Sequence, residues 1–131
     1  MNSWIIPCNT KYYDVFGAFE KLKVLDWKQS NPNVSVGDSV FIYVGAPVMA
    51  VTFKCVVRKV NVPSIEIDDS EFIINGGPYV NYGRHMELEL QRTYGEKELS
   101  RDVLESVGVA GRIMGPRRAP EAFERYVAEL E

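Results

Sequence analysis

The stretch VSVGDSVFIYVGAPVMAVTFKCVVRKV, residues 34 to 60, constrains the fold more than any other part of the chain. It holds two runs of β-branched and aromatic residues. Gly37-Asp38 opens the first run, and Gly45-Ala46-Pro47 separates it from the second. Such residues lose side-chain freedom in a helix and pack well on a pleated surface, so the pair predicts two strands joined by a tight turn. Val40, Ile42 and Val44, then Val48, Ala50 and Thr52, leave little room for a wet face. Both strands therefore belong at the centre of a sheet.

The remaining segments arrange themselves around that pair. SWIIPC predicts a first buried strand, Trp4 included, that stops at Pro7 and the turn-forming Asn9-Thr10. Tyr12, Val15, Phe16 and Phe19 have the spacing of one apolar helix face, with Asn9 or Thr10 available as its cap. LDWKQSNPN then reads as an exposed connection. Residues 61 to 83 make an irregular excursion with one short strand, EFII, while RHMELELQRTY alternates charged and apolar side chains as a half-exposed strand does. Ser100 is placed to cap a short helix, RDVLESV, that Gly108 ends, and GRIM is a candidate last strand. Pro120 suits the first position of a closing helix whose inner face is Phe123, Val127 and Leu130. Strands that meet in tight turns, with helices toward the ends, give an α+β class. The expectation is a single domain over residues 1–131 with a small, bent, mostly antiparallel sheet or open barrel flanked by helices.

Charge limits the partners. A net charge of −3 argues against a chain whose main business is gripping duplex phosphates. The charge is uneven, with seven basic against four acidic side chains in residues 1–60 and eight against fourteen in residues 61–131. Any nucleic acid would be held by a local face. No run of about eighteen apolar residues could cross a bilayer, and the first residues lack the basic start of a secretory signal. A cytoplasmic setting follows as the expectation, with Cys8 and Cys55 as thiols packed in strands.

The usual sets of reactive groups are mostly missing. There is no phosphate-binding glycine loop and no nucleophile elbow. One histidine and no CxxC pair give no zinc site of ordinary spacing, and Asp68-Asp69-Glu71 reads as a solvated acidic turn. His85 could act as base to Cys8 or Cys55, but thiols buried in strands are inert. No catalytic residue, metal or cofactor is assigned. Polar and aromatic residues do gather where loops meet strands: Asn9, Tyr12 and Tyr13; Trp27, Gln29 and Ser30; and Tyr43. Aromatic faces with amide and hydroxyl groups are the two components that hold a flat heterocycle. Taken alone, Tyr12 on a helix face and Tyr43 in a strand core are more often packing residues. Arg112, Arg117 and Arg118, just ahead of a helix amino terminus, could clasp phosphates or simply form a basic loop.

WIIPCN with YYDVFGAF, then DWKQ, then VGDSVFIYVGAP with VMAVTFKCVV, and finally GRIMGPRR before a closing helix, together resemble an EVE domain of the PUA-like superfamily over nearly the whole chain. The resemblance implies a PUA-like pseudobarrel that binds a modified base swung out of its strand, as the related YTH domains do for methylated adenine in RNA. It implies that Trp27 stacks on the base and that Asn9, Gln29 and Ser30 contact its edge. Tyr43, with Tyr12 nearby, would lie at the pocket floor, and Arg112, Arg117 and Arg118 would hold the flanking backbone. Similar EVE modules occur fused to nucleases in modification-dependent restriction and defence systems, so the expectation is a chain that acts alone, that has a nuclease partner, or that is one domain of something larger. This chain has no room for an HNH nuclease. The expected ligand is methyl- or hydroxymethylcytosine, or methyladenine, in DNA or RNA. A small-molecule or protein-interaction domain using the same pocket is the competing expectation.

Overall fold

The computed structural model describes residues 1–11, 13–29, 33–63 and 84–130. Its strands are β1 (Ser3–Cys8), β2 (Val24–Lys28), β3 (Ser39–Val44), β4 (Ala50–Pro63), β5 (Arg84–Thr93) and β6 (Arg117–Arg118). Its helices are α1 (Val15–Lys21), α2 (Arg101–Ser106) and α3 (Glu121–Leu130). The strands form one sheet in the order β2-β5-β4-β3-β1-β6. Every pairing is antiparallel except β1 with β3, which runs parallel in a register that sets Cys8 beside Val44.

Central position explains the apolar run SVFIYV. β3 lies between β1 and β4, and its side chains feed both faces of the sheet. Val40, Ile42 and Val44 join Trp4, Ile6, Cys8, Phe53, Cys55 and Val57 in one core, which α1 covers with Val15, Ala18 and Phe19. Phe41 and Tyr43 join Ile5, Val51 and Tyr94 in the other, under α2 and α3 through Leu104, Phe123 and Val127. The sheet bends strongly. β1 and β2 are four steps apart, about 19 Å in a flat sheet. Yet Tyr13, just beyond β1, meets Trp27 of β2 edge-on with ring centroids 5.3 Å apart. Irregularities in the β4–β5 ladder at Lys54/Cys55, Val57/Lys59 and Lys59/Val62 supply the curvature, because each extra residue kinks one strand against its neighbour.

Several local expectations need correction. DWKQ is not an exposed connection: Leu25 and Trp27 face the core while Val24, Asp26 and Lys28 are half-buried, and Trp27 pairs with Met86 of β5. α1 starts two residues after Tyr13, capped by Asp14, whose carboxylate accepts from the Gly17 amide at 3.0 Å. Asn9 and Thr10 are not its caps. Its buried face is Val15, Ala18 and Phe19, and Phe16 is 42% exposed. GRIM is not a strand, whereas Arg117 and Arg118 are, as edge strand β6 beside Ile5 and Trp4. Trp4 is buried, as expected, and Gly108 ends α2 at φ 91°. EFII and the acidic turn Asp68-Asp69-Glu71 lie outside the described residues.

Candidate functional site

Parallel pairing sends the chain out of β1 and β3 side by side at one end of the sheet. The Gly45 amide donates to the Cys8 carbonyl at 3.0 Å, tying the two exits together. Beyond Cys8 the chain turns on Asn9, whose Oδ1 accepts from the Lys11 amide at 2.9 Å. Beyond Val44 it turns on Gly45, whose carbonyl accepts from Val48 and Met49 at 3.1 and 3.3 Å and holds Met49 at φ 52°. A third segment faces these turns. It follows α2 and runs from Val109 to Pro116, fixed by two guanidinium groups: Arg101 donates to the Gly111 carbonyl, and Arg117 to the Ala110 carbonyl at 2.9 Å.

Between the three segments lies a cleft of about 540 Å³, a size that suits one small ligand or one extruded nucleotide. Pro7, Cys8 and Tyr43 are its more buried lining, Lys11, Arg101 and Arg112 its cations, and Met49, Ile113 and Met114 its apolar wall. Asn9 completes it beside β1. Among the described residues no carboxylate lines it, although Glu105 lies 3.6 Å from Arg101 on α2. Tyr43 lines the cleft although it is only 7% exposed. The sheet itself aims this ring. In the β3–β4 ladder Ile42 faces Phe53 but Tyr43 faces Val51, and the extra residue, Thr52, puts Phe53 and Val51 on opposite faces.

Of the nine predicted contact residues, the cleft gathers Asn9, Tyr43 and Arg112. Trp27 is elsewhere: it is 6% exposed, in the core under α1. Gln29 is also outside the cleft. Its amide grips Asn61, accepting from the backbone N–H at 2.8 Å and donating to Asn61 Oδ1 at 3.4 Å, and so holds Asn61 at φ 56°. Arg117 and Arg118 do not act as a pair ahead of a helix. Neighbouring strand residues point to opposite faces, and while Arg117 reaches Ala110, Arg118 donates to Asn2 Oδ1 at 2.6 Å. Tyr12 and Ser30 lie outside the described residues. The cleft adds Lys11, Arg101, Met49 and Met114, which the sequence did not single out. Their only advance signal was local: a basic residue in the first turn and a methionine in the strand connection.

Other chemistry is dispersed. Cys55 pairs with Leu90 and His85 lies five residues away along β5, about 16 Å at ~3.3 Å per residue. Burial pushes the Cys55 thiol up to about 12. Among the described residues no three His, Cys, Asp or Glu side chains gather to hold a metal, and no helix is long and apolar enough to cross a membrane. A second depression of about 440 Å³, between the end of α1 and the end of β5, mixes Glu20 with Lys21, Lys23 and Arg92 and is wider open.

No family model and no curated protein sequence matches the chain. Solved structures do. The ASCH protein from Zymomonas mobilis superposes with a TM-score of 0.65 at 9% identity, over 98% of this chain and 95% of its own. A hypothetical protein from Leishmania major gives 0.66 at 13%, over 99% and 94%. Human THYN1, solved in complex with DNA containing 5-methylcytosine, gives 0.64 at 9%, over 99% and 97%. The fold of the chain is thus a PUA-like pseudobarrel of α+β class, as the sequence resemblance implied. Fold alone does not fix a function, which has to be argued from the site.

Proposed function

We propose that this PUA-like domain is a nucleic-acid-binding module that receives a modified base, swung out of a DNA strand, in the cleft at the ends of β1 and β3. The observation that carries the reading is the cleft's composition: three cations and, among the described residues, no carboxylate, in a chain of net charge −3, around a buried tyrosine. Tyr43 and Asn9 then address the edge of the base, and Arg112, with Lys11 and Arg101, the phosphates beside it. Extruding a base costs a few kcal/mol, so the cleft must return contacts to both the base and its backbone. The EVE-like sequence pattern supports the reading. So does human THYN1, a structural neighbour solved with 5-methylcytosine DNA, which favours DNA over RNA. Trp27, packed against the Tyr13 ring in the core, takes no part in this contact.

The test is equilibrium binding of fluorescent oligonucleotides that differ in one base: cytosine, methylcytosine, hydroxymethylcytosine, adenine or methyladenine. Preference for one modified base is expected, with Arg112→Ala weakening all of them alike and Tyr43→Phe weakening the preferred one most. No binding by the folded protein would overturn the reading and leave a small-molecule or protein-interaction domain using the same cleft. A nuclease partner, as in restriction systems, would be sought only after binding is established.

A further inference from the structure

We infer that Met49 and Met114 are the specificity determinants of the cleft, a thioether surface that recognises a methyl group on the base and disfavours a hydroxymethyl group. The inference rests on the base-binding reading above and goes further by naming the residues and the substituent.

Exposure provides the first argument. Among the described residues only six large apolar side chains are exposed, and two of them, Met49 at 45% and Met114 at 80%, line this one cleft. Single exposed apolar side chains are ordinary, but two converging from separate segments on a concave polar site make an apolar wall suited to a ligand. The second argument is that the backbone under each is held. Met49 stands at φ 52°, a region that non-glycine residues seldom adopt, and two hydrogen bonds to the Gly45 carbonyl keep the turn there. Met114 belongs to the segment fixed at Ala110 and Gly111 by Arg117 and Arg101, while its neighbour Ile113 packs into the core under α2 and α3.

Chemistry provides the third argument. A methionine is unbranched and polarisable, so it can follow the face or edge of a flat ring, and sulfur contacts with aromatic rings are favourable. A methyl group buried against such a wall gains about fourfold in affinity from area alone. A hydroxyl placed there loses its water and meets only weak acceptors, which removes that gain. The cations contribute nothing to this choice, because phosphates are identical whichever base they flank.

The experiment compares wild type, the double variant Met49→Ala/Met114→Ala and the double variant Met49→Leu/Met114→Leu on oligonucleotides carrying cytosine, methylcytosine, hydroxymethylcytosine, adenine or methyladenine. The readout is the ratio of Kd for the unmodified base to Kd for its methylated form. Wild type is expected to show a ratio of about four or more, with hydroxymethylcytosine near cytosine. The ratio of the alanine variant should fall toward one, its Kd for the methylated base rising more than its Kd for the unmodified base, and the leucine variant should keep most of the ratio. Retained discrimination in the alanine variant, or equal weakening of every oligonucleotide, overturns the inference and leaves base binding standing. A hydroxymethyl preference in wild type does the same. If wild type binds none of them, the base-binding reading fails and this inference with it.

Discussion

Asp38 is 3% exposed and accepts three hydrogen bonds, from Trp4 Nε1 at 2.9 Å, Ser35 N at 3.0 Å and Asn2 N at 3.1 Å. One carboxylate thus joins the start of β1 to the turn that opens β3, and satisfies the N–H of a buried indole. Burial by itself would raise this carboxyl, but the Trp4, Ser35 and Asn2 donors and the nearby amino terminus together carry it below its ordinary value of 3.8. A depressed folded-state pKa stabilises the protein at pH values above the unfolded one, and that contribution disappears as pH falls through the folded value. Urea unfolding midpoints should therefore drop below about pH 4 in wild type and much less steeply in Asp38→Asn. Asp38→Ala, which leaves buried donors unsatisfied, should lose at least about 3 kcal/mol at neutral pH. Trp27 gives the second prediction at this scale. Buried against Tyr13, it should behave as a core residue: Trp27→Ala is expected to remove about 3–5 kcal/mol by thermal or denaturant unfolding, and Trp27→Phe considerably less. A variant of unchanged stability would return the indole to the ligand surface. Trp4 was legible in the sequence because four apolar residues, Ile5 to Cys8, follow it in SWIIPC. Trp27 was not, because Asp26 and Lys28 flank it and the alternation lasts only five residues.

The element that the sequence hid, β2, also carries an electrostatic conflict. Its Asp26 sits directly across from Glu87 of β5, and Glu87 already pairs with Lys59 at 3.5 Å and lies 3.7 Å from Arg58. Partial burial raises the Asp26 carboxyl first and the facing Glu87 raises it further, with His85 and Lys59 only offsetting them. The sign is opposite to that of Asp38. A raised folded-state pKa gives a contribution that is complete below the unfolded value of 3.8 and is lost as pH rises through the folded one. Asp26→Asn should therefore be more stable than wild type at pH 7, with the difference shrinking toward pH 4, measured as paired denaturant midpoints. Equal midpoints at every pH would mean that Lys59 and Arg58 fully neutralise the pair. The long strands and the two later helices were legible because their periods run for many residues: β3 to β5 through branched residues and alternation, α3 through Phe123, Val127 and Leu130. The short edge pieces were not. In β6 two arginines become a strand through pairing with Trp4 and Ile5, a tertiary fact that no local pattern in GRIMGPRR records.

At the scale of the whole molecule, the fold class and the bent, mostly antiparallel sheet could be anticipated, but the site could not, for a specific reason. Asn9, Tyr43, Met49, Arg101 and Arg112 come from four separate stretches, brought together by the one parallel pairing in the sheet and by an arginine that reaches ten residues along the chain. Sequence identified members of this group singly and mixed them with Gln29 and Arg118, whose partners are structural. The same assembly resolves the charge question. A chain of net charge −3 repels a polyanion at long range, while a cleft with three cations attracts it once within about a Debye length of 8–10 Å. Binding that depends on the cleft alone must then have a shallow salt dependence. Each phosphate neutralised contributes about −0.7 to −0.9 to the slope of log K against log salt, so three cations allow about −2 to −3. Removing one charge with Arg112→Ala should reduce the magnitude of the slope by about one and leave the preference among bases unchanged. Titrations of one oligonucleotide from 50 to 300 mM salt would measure this. A slope near −6 would require a contact surface much wider than the cleft, and a slope near zero would mean that its cations do not touch phosphate.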